Sequence, residues 1–185
     1  EISPNEQRKI LEIDPASSFG TGQHNTTRLC LELIEKYMQS GDRVLDLGCG
    51  SGILSIGALL LGGKECVAVD IEENAVTTSI ENAKKNNISE DIYKAYCGNI
   101  IGDIELREKI GSGYDVICAN IVADVLKAMA PIFKSFLVDN GLLIVSGIIT
   151  ERREEVIECI KEYGFEEIEG ADKEGWSAVA LRAKN

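Results

Sequence analysis

The run Arg43-Val44-Leu45-Asp46-Leu47-Gly48-Cys49-Gly50-Ser51-Gly52 passes from a short apolar stretch through three alternating glycines into the apolar segment Ile53 to Leu61. A second apolar stretch, Cys66-Val67-Ala68-Val69-Asp70, ends in a carboxylate. Strand, tight turn, helix, strand and acid, in that order, make a βα unit suited to a nucleoside-containing cofactor. Glycine tolerates positive φ and, lacking Cβ, lets a ligand approach the backbone closely. Asp70 lies 22 residues after Gly48, where a carboxylate can accept hydrogen bonds from both ribose hydroxyls. The dinucleotide fingerprint G-x-G-x-x-G would need a glycine at Ile53, and this disfavours a nicotinamide-dependent dehydrogenase.

Strand-like and helix-like segments alternate from about residue 43 to 148, the pattern of a parallel sheet covered by helices on both faces. The strands read at 43–48, 66–70, 93–97, 114–120 and 142–148. One helical face is marked by Val76, Ile80 and Ala83, and another by Val122, Val125, Leu126, Met129 and Phe133, with Pro131 expected to kink or restart the second. Cys30, Leu33, Ile34 and Tyr37 mark a helix before the first strand, and Val156, Ile157 and Ile160 mark one after the fifth. Extended stretches near 165–169 and 176–183 are joined only by Gly170 to Gly175, too few residues for a helical crossover, so an antiparallel hairpin is expected. The fold class is therefore α/β, a doubly wound Rossmann-like sheet, mostly parallel, with an antiparallel C-terminal hairpin. One domain is expected, with residues 1–40 forming a lid segment and helix and residues 41–185 the cofactor-binding body.

A chain of 185 residues suits one domain with a sizeable core, and none of its apolar stretches approaches the roughly 20 residues of a membrane span. The six cysteines include no Cys-x-x-Cys pair, and with a single histidine, His24, no zinc set is expected. Scattered small thiols in apolar runs fit a reducing cytoplasm. A start at Glu-Ile-Ser-Pro has no features of a signal peptide, and without Met it points to a beginning further upstream. The net charge of −12, spread in runs such as Glu151 to Glu155, reads first as solvated helix faces and alternatively as a surface that repels nucleic acid phosphates and suits a basic protein partner. Oligomeric state is not legible.

Two further segments carry chemistry. Asp14 to Thr27 holds Phe19, Gly20, Thr21, Gly22 and His24 among many small residues and reads as a lid over the cofactor. Asn25 or Thr26 is expected to cap the following helix, which puts Thr27 in its first turn, where donors face a carboxylate. The fourth strand ends at Asn120, and ligands of open parallel sheets bind beyond the carboxyl ends of the strands. A carboxamide oxygen with a nearby carbonyl can hold a neutral amine, although capping of the helix near Val122 is an alternative use of Asn120. His24 is a candidate for assisting proton removal, with a plain hydrogen-bonding role as the alternative.

The pattern Asp-x-Gly-x-Gly-x-Gly beginning at Asp46 resembles the first motif of S-adenosylmethionine-dependent methyltransferases and makes Asp46, Gly48 and Gly50 candidate cofactor contacts. Together with Phe19-Gly20-Thr21-Gly22-x-His24-x-Thr26-Thr27, Asp70-Ile71-Glu72, Ala119-Asn120-Ile121, Ser146-Gly147-Ile148 and Glu174-Gly175-Trp176, it resembles the methyltransferases that modify the eleventh protein of the large ribosomal subunit. The resemblance spans nearly the whole chain. It implies S-adenosylmethionine as cofactor, contacts at Thr27, Gly48, Asp70 and Asn120, and N-methylation of lysines and an N-terminal amine of a basic ribosomal protein. Ala16-Ser17-Ser18 departs from the family's usual Gly-x-Ala, and the family's separate N-terminal substrate-recognition domain is absent. Rival readings keep the cofactor and change the acceptor to another protein, a small molecule or a nucleic acid, or retain binding without catalysis. Ile121 and Val122 after Asn120 lack the prolines and aromatic of the Asn-Pro-Pro-Tyr pattern, whose ring stacks on a planar target.

Overall fold

The computed structural model describes residues 9–15 and 24–185. Its elements run α1 (Asn25–Tyr37), β1 (Arg43–Leu47), α2 (Ile53–Leu60), β2 (Glu65–Asp70), α3 (Glu73–Lys85), β3 (Tyr93–Cys97), α4 (Ile104–Ile110), β4 (Tyr114–Asn120), α5 (Ala123–Phe136), β5 (Leu137–Ile149), α6 (Arg153–Glu162), β6 (Phe165–Lys173) and β7 (Trp176–Ala183). The sheet order is β3-β2-β1-β4-β5-β7-β6. β1 to β5 are parallel, and β7 pairs antiparallel with both β5 and β6. The expected fold class and C-terminal hairpin are therefore observed, with β6 extended to Lys173 so that Glu174-Gly175 makes the turn.

Central strands buried on both faces read as continuous apolar runs. In β4, Val116, Ile117, Cys118 and Ala119 are all buried. The edge strand β6 instead alternates, with Glu166 and Gly170 exposed between better-covered neighbours, and its outward acids discourage pairing with another sheet. Leu45, Leu47, Ile117 and Leu143 pack with α4, α5 and α6 on one face. On the other, Val44, Cys66, Cys118 and Ile144 pack with α1, α2 and α3.

Two expectations are corrected. α5 runs through Pro131 from Ala123 to Phe136 without the restart expected there. Leu126, Met129, Ala130 and Phe133 are buried along one side of it, and that packing outweighs the missing amide hydrogen bond. α1 is capped by neither Asn25 nor Thr26: His24 is the N-cap residue, and its side chain accepts from Thr26 N.

The functional consequence of the topology lies between β1 and β4. From β1 the chain proceeds outward through β2 and β3, then returns to place β4 on the other side of β1. Such a reversal leaves a crevice at the carboxyl ends of the strands, where ligands of open α/β sheets bind.

Candidate functional site

A cavity of about 280 Å³ opens at that crevice. His24 and Thr27 from the start of α1, Gly48 and Gly50 from the turn after β1, Asp70 from the end of β2 and Asn120 from the end of β4 all line it. Six of the residues singled out from sequence thus converge on one space. Phe19, Gly20 and Thr21 lie outside the described residues.

The turn hangs from β2. Gly48 N and Cys49 N both donate to Val69 O, at 2.8 and 3.1 Å, and Gly50 N donates to Asp70 Oδ2 at 2.9 Å. Gly50 has φ +52°, and a Cβ there would meet no atom of the described residues beyond its chain neighbours within 4 Å. Its missing side chain is open space on the cavity wall. At Gly48 a Cβ would stand 2.8 Å from the Ile121 side chain, so this glycine also makes room for a neighbour's packing. Asp70 Oδ1 accepts from Glu72 N at 3.0 Å. A carboxylate has about four acceptor positions, so two backbone amides orient Asp70 without exhausting it.

Asp46 is set apart from the wall. It is fully buried beneath the turn, where Oδ2 accepts from Ser55 N of α2 at 3.2 Å and Oδ1 has no partner among the described residues. Burial is the main cause that pushes its pKa up to about 6, since ionisation in an apolar setting is unfavourable. Because the folded pKa exceeds the unfolded one, this group's contribution to stability is largest below the unfolded value and is lost as pH rises from about 4 through about 6. Asp46→Asn removes that titration. Between pH 4 and pH 7 the stability difference between the variant and the wild type is expected to move by about 2 kcal/mol in the variant's favour. Urea titrations across that range measure it, and a difference independent of pH would contradict the buried ionisation.

His24 Nδ1 lies 2.8 Å from Thr26 Oγ1 and 3.3 Å from Thr26 N, which donates to it. In the neutral ring this places the proton on Nε2, making the second nitrogen a hydrogen-bond donor and not a base. The ring also meets Trp176 edge-on, with centroids 4.9 Å apart. His24 thus meets the first turn of α1 through one ring nitrogen and Trp176 through its ring. Asn120 does not cap α5, whose N-cap is Val122 without a side-chain bond. Its Nδ2 donates to Thr27 Oγ1 at 3.3 Å, which orients the carboxamide across the cavity floor.

Several contributors were not assigned to the site from the sequence, although Gly147 and Trp176 lie in stretches that carry the family resemblance. Gly147, at φ +80° in a register shift of β5, brings that strand against β4: a Cβ there would stand 2.7 Å from Ile121 O and 3.0 Å from Asn120 Oδ1. Trp176 joins the wall from the hairpin. A second cavity of about 400 Å³ shares Gly48, Asp70, Glu72 and Asn120 and is completed by Asn99, Ile100 and Ile101 after β3. That loop has no motif spacing of its own; its only signal in the sequence is a position at the end of a strand beside Asp70.

The model of the ribosomal protein L11 methyltransferase family (PrmA) matches residues 1–184. The chain belongs to the ribosomal protein L11 methyltransferase family. A relative of that name from Agathobacter rectalis is 42% identical over 187 residues, covering 98% of this chain and 58% of its own. The chain thus spans just over half the length of such a relative. The crystal structure of the ribosomal protein L11 methylase from Lactobacillus delbrueckii subsp. bulgaricus superposes with a TM-score of 0.85 at 30% identity, covering 100% of this chain and 91% of that one. The N-methyltransferase NodS of Bradyrhizobium japonicum, solved with S-adenosyl-L-homocysteine, shares the fold at a TM-score of 0.70 and 14% identity, covering 88% and 90% of the two chains. Among the described residues, no helix is long and apolar enough to cross a membrane.

Proposed function

We propose that this domain binds S-adenosylmethionine in the paired cavities and transfers its methyl group to lysine side chains and an N-terminal amine of ribosomal protein L11 in the cytoplasm. The observation that carries the reading is the convergence of Thr27, Gly50, Asp70 and Asn120 on one crevice in a chain of this family. The residues present suit the cofactor. Gly50 leaves the backbone bare, Asp70 retains acceptors for a ribose diol, and Ile100 and Ile101 offer an apolar wall to a purine.

When bound, the cofactor supplies an electrophilic sulfonium methyl. Asn120 Oδ1 and the carbonyl of Ile121 are neutral acceptors that hold an amine through its hydrogens and leave its lone pair free. Lysine is protonated at neutral pH, with a reference pKa of about 10.4. Ile121, Val122 and Trp176 around the opening disfavour the ammonium by desolvation and ease loss of its proton. Orientation of the amine then does most of the work.

The test is calorimetric titration with S-adenosylmethionine, followed by mass spectrometry of isolated ribosomal protein L11 after incubation with enzyme and cofactor. Mass gains of 14 Da per methyl, about one methylene, at amines are expected. Binding without transfer to ribosomal protein L11, in the full-length protein as well as in residues 1–185, would sink the catalytic reading. Asp70→Ala is expected to weaken cofactor binding tenfold to a hundredfold, the effect of about 1.5–3 kcal/mol in charge-assisted hydrogen bonds. Unchanged affinity would remove Asp70 from the site.

A further inference from the structure

Leu11 and Ile13 turn inward onto the core under α2 and α3. The backbone of the residues between and after them faces α3, where two asparagines one helical turn apart receive it. Asn86 Oδ1 accepts from Glu12 N at 3.0 Å, and its Nδ2 donates to Glu12 O at 2.7 Å. Asn82 repeats the arrangement two strap residues further on: Oδ1 accepts from Asp14 N at 2.9 Å, and Nδ2 donates to Asp14 O at 2.8 Å. Each carboxamide pairs with the strap as a neighbouring strand would.

The two differ in one bond. The second N–H of Asn86 returns to its own helix at Asn82 O, 2.8 Å away. That of Asn82 crosses to Ser51 O at 2.8 Å, in the glycine turn on the cavity wall. Asn82 is fully buried and is absent from the wall itself, so whatever it does at the cavity it does through the turn.

We propose that Asn82 is the positioning residue of the cofactor-binding turn, fixing the Gly50-Ser51 backbone and locking the strap at Asp14 to the same point. The chemistry requires asparagine. One acceptor and two donors in a plane satisfy three backbone groups at once; aspartate has no donor for the two carbonyls, and alanine leaves Ser51 O without this partner. A displaced turn would shift the bare edge at Gly50 against which the ligand lies. The effect on catalysis rests on the functional reading above, whereas the effect on the turn does not.

The experiment compares Asn82→Ala, Asn82→Asp and Asn86→Ala with the wild type. Hydrogen exchange of the Gly50 and Gly52 amides in ligand-free protein reads the clamp directly. Exchange is expected to quicken at least tenfold in both Asn82 variants and to stay within about twofold in Asn86→Ala, which loses an equivalent strap pair but no bond to the turn. Titration with S-adenosylmethionine should then show affinity at least tenfold weaker in the Asn82 variants, with kcat at saturating cofactor within about twofold of wild type. Equal exchange in Asn82→Ala and Asn86→Ala, or wild-type exchange in both Asn82 variants, overturns the proposal. Should Asn82→Ala fail to fold, Asn82→Asp keeps the shape and the bond from Asp14 N and decides the question. Failure of the wild-type protein to bind S-adenosylmethionine would overturn the functional reading alone, because amide exchange needs no ligand.

Discussion

Gly50→Val is expected to abolish measurable S-adenosylmethionine binding while leaving the sheet and helices intact by circular dichroism. The backbone at Gly50 has φ +52°, a conformation that is a genuine outlier for a β-branched residue. Holding an L-residue there costs roughly 1–2 kcal/mol, small against the 5–15 kcal/mol that stabilises a typical domain. The larger effect is steric. A Cβ built at this position meets no atom of the described residues beyond its chain neighbours within 4 Å, so the methyl groups of valine would extend into the space on the wall that the ligand is proposed to use. Gly50→Ala separates the two contributions, since it carries the strain with less added volume, and it should weaken binding without eliminating it. Wild-type affinity in Gly50→Val would mean that the glycine serves only the packing of the turn.

That prediction rests on a feature already visible in the sequence, and the contrast with less visible ones is instructive. β1, the glycine turn and Asp70 are contiguous or follow at fixed spacing, so local chemistry announced them. The C-terminal hairpin was equally legible because too few residues separate its strands for any other connection. α4 escaped notice: it has seven residues, of which only Leu106 and Ile110 are buried, too few for a helical period to emerge. The restart expected at Pro131 failed for the opposite reason, because a local rule was overridden by a buried face that runs past it on both sides.

The site was divided in the same way. Asn120 could be placed from its position at the end of a strand, but the partner that orients it, Thr27, is 93 residues away. His24 illustrates a residue type whose role depends wholly on what its ring nitrogen meets, here the first turn of its own helix. The contact of Gly147 with Asn120 and the bridge made by Asn82 were beyond reach for a simpler reason. Nothing in the sequence says that one strand must pass within contact of Asn120, or that a helix asparagine must bridge a strap and a turn. These are consequences of tertiary placement, invisible in spacing even where, as at Gly147, the residue lies in a stretch that carries the family resemblance.

Asn120→Ala is expected to lower methyl transfer more than tenfold while changing cofactor affinity less. This is the signature of an interaction used mainly in the transition state. Asn120 supplies one of two neutral acceptors at the cavity floor, and its orientation comes from donation to Thr27 Oγ1. Truncation would leave Ile121 O to hold the incoming amine alone. Asn120→Asp makes the chemical point sharper, because it keeps the size and the acceptor but places a negative charge beside the amine. A carboxylate there stabilises the ammonium, so turnover should fall and then recover in part as pH is raised toward the lysine pKa. Gly147→Ala approaches the same pair from behind: its Cβ, at 2.7 Å from Ile121 O and 3.0 Å from Asn120 Oδ1, forces both acceptors to move. It should reproduce the loss of turnover by displacing them. Steady-state kinetics at saturating cofactor, with ribosomal protein L11 as acceptor, distinguish these outcomes. Wild-type turnover in Asn120→Ala would remove the carboxamide from the chemistry, and the amine would then have to be oriented by the backbone carbonyl and the apolar rim.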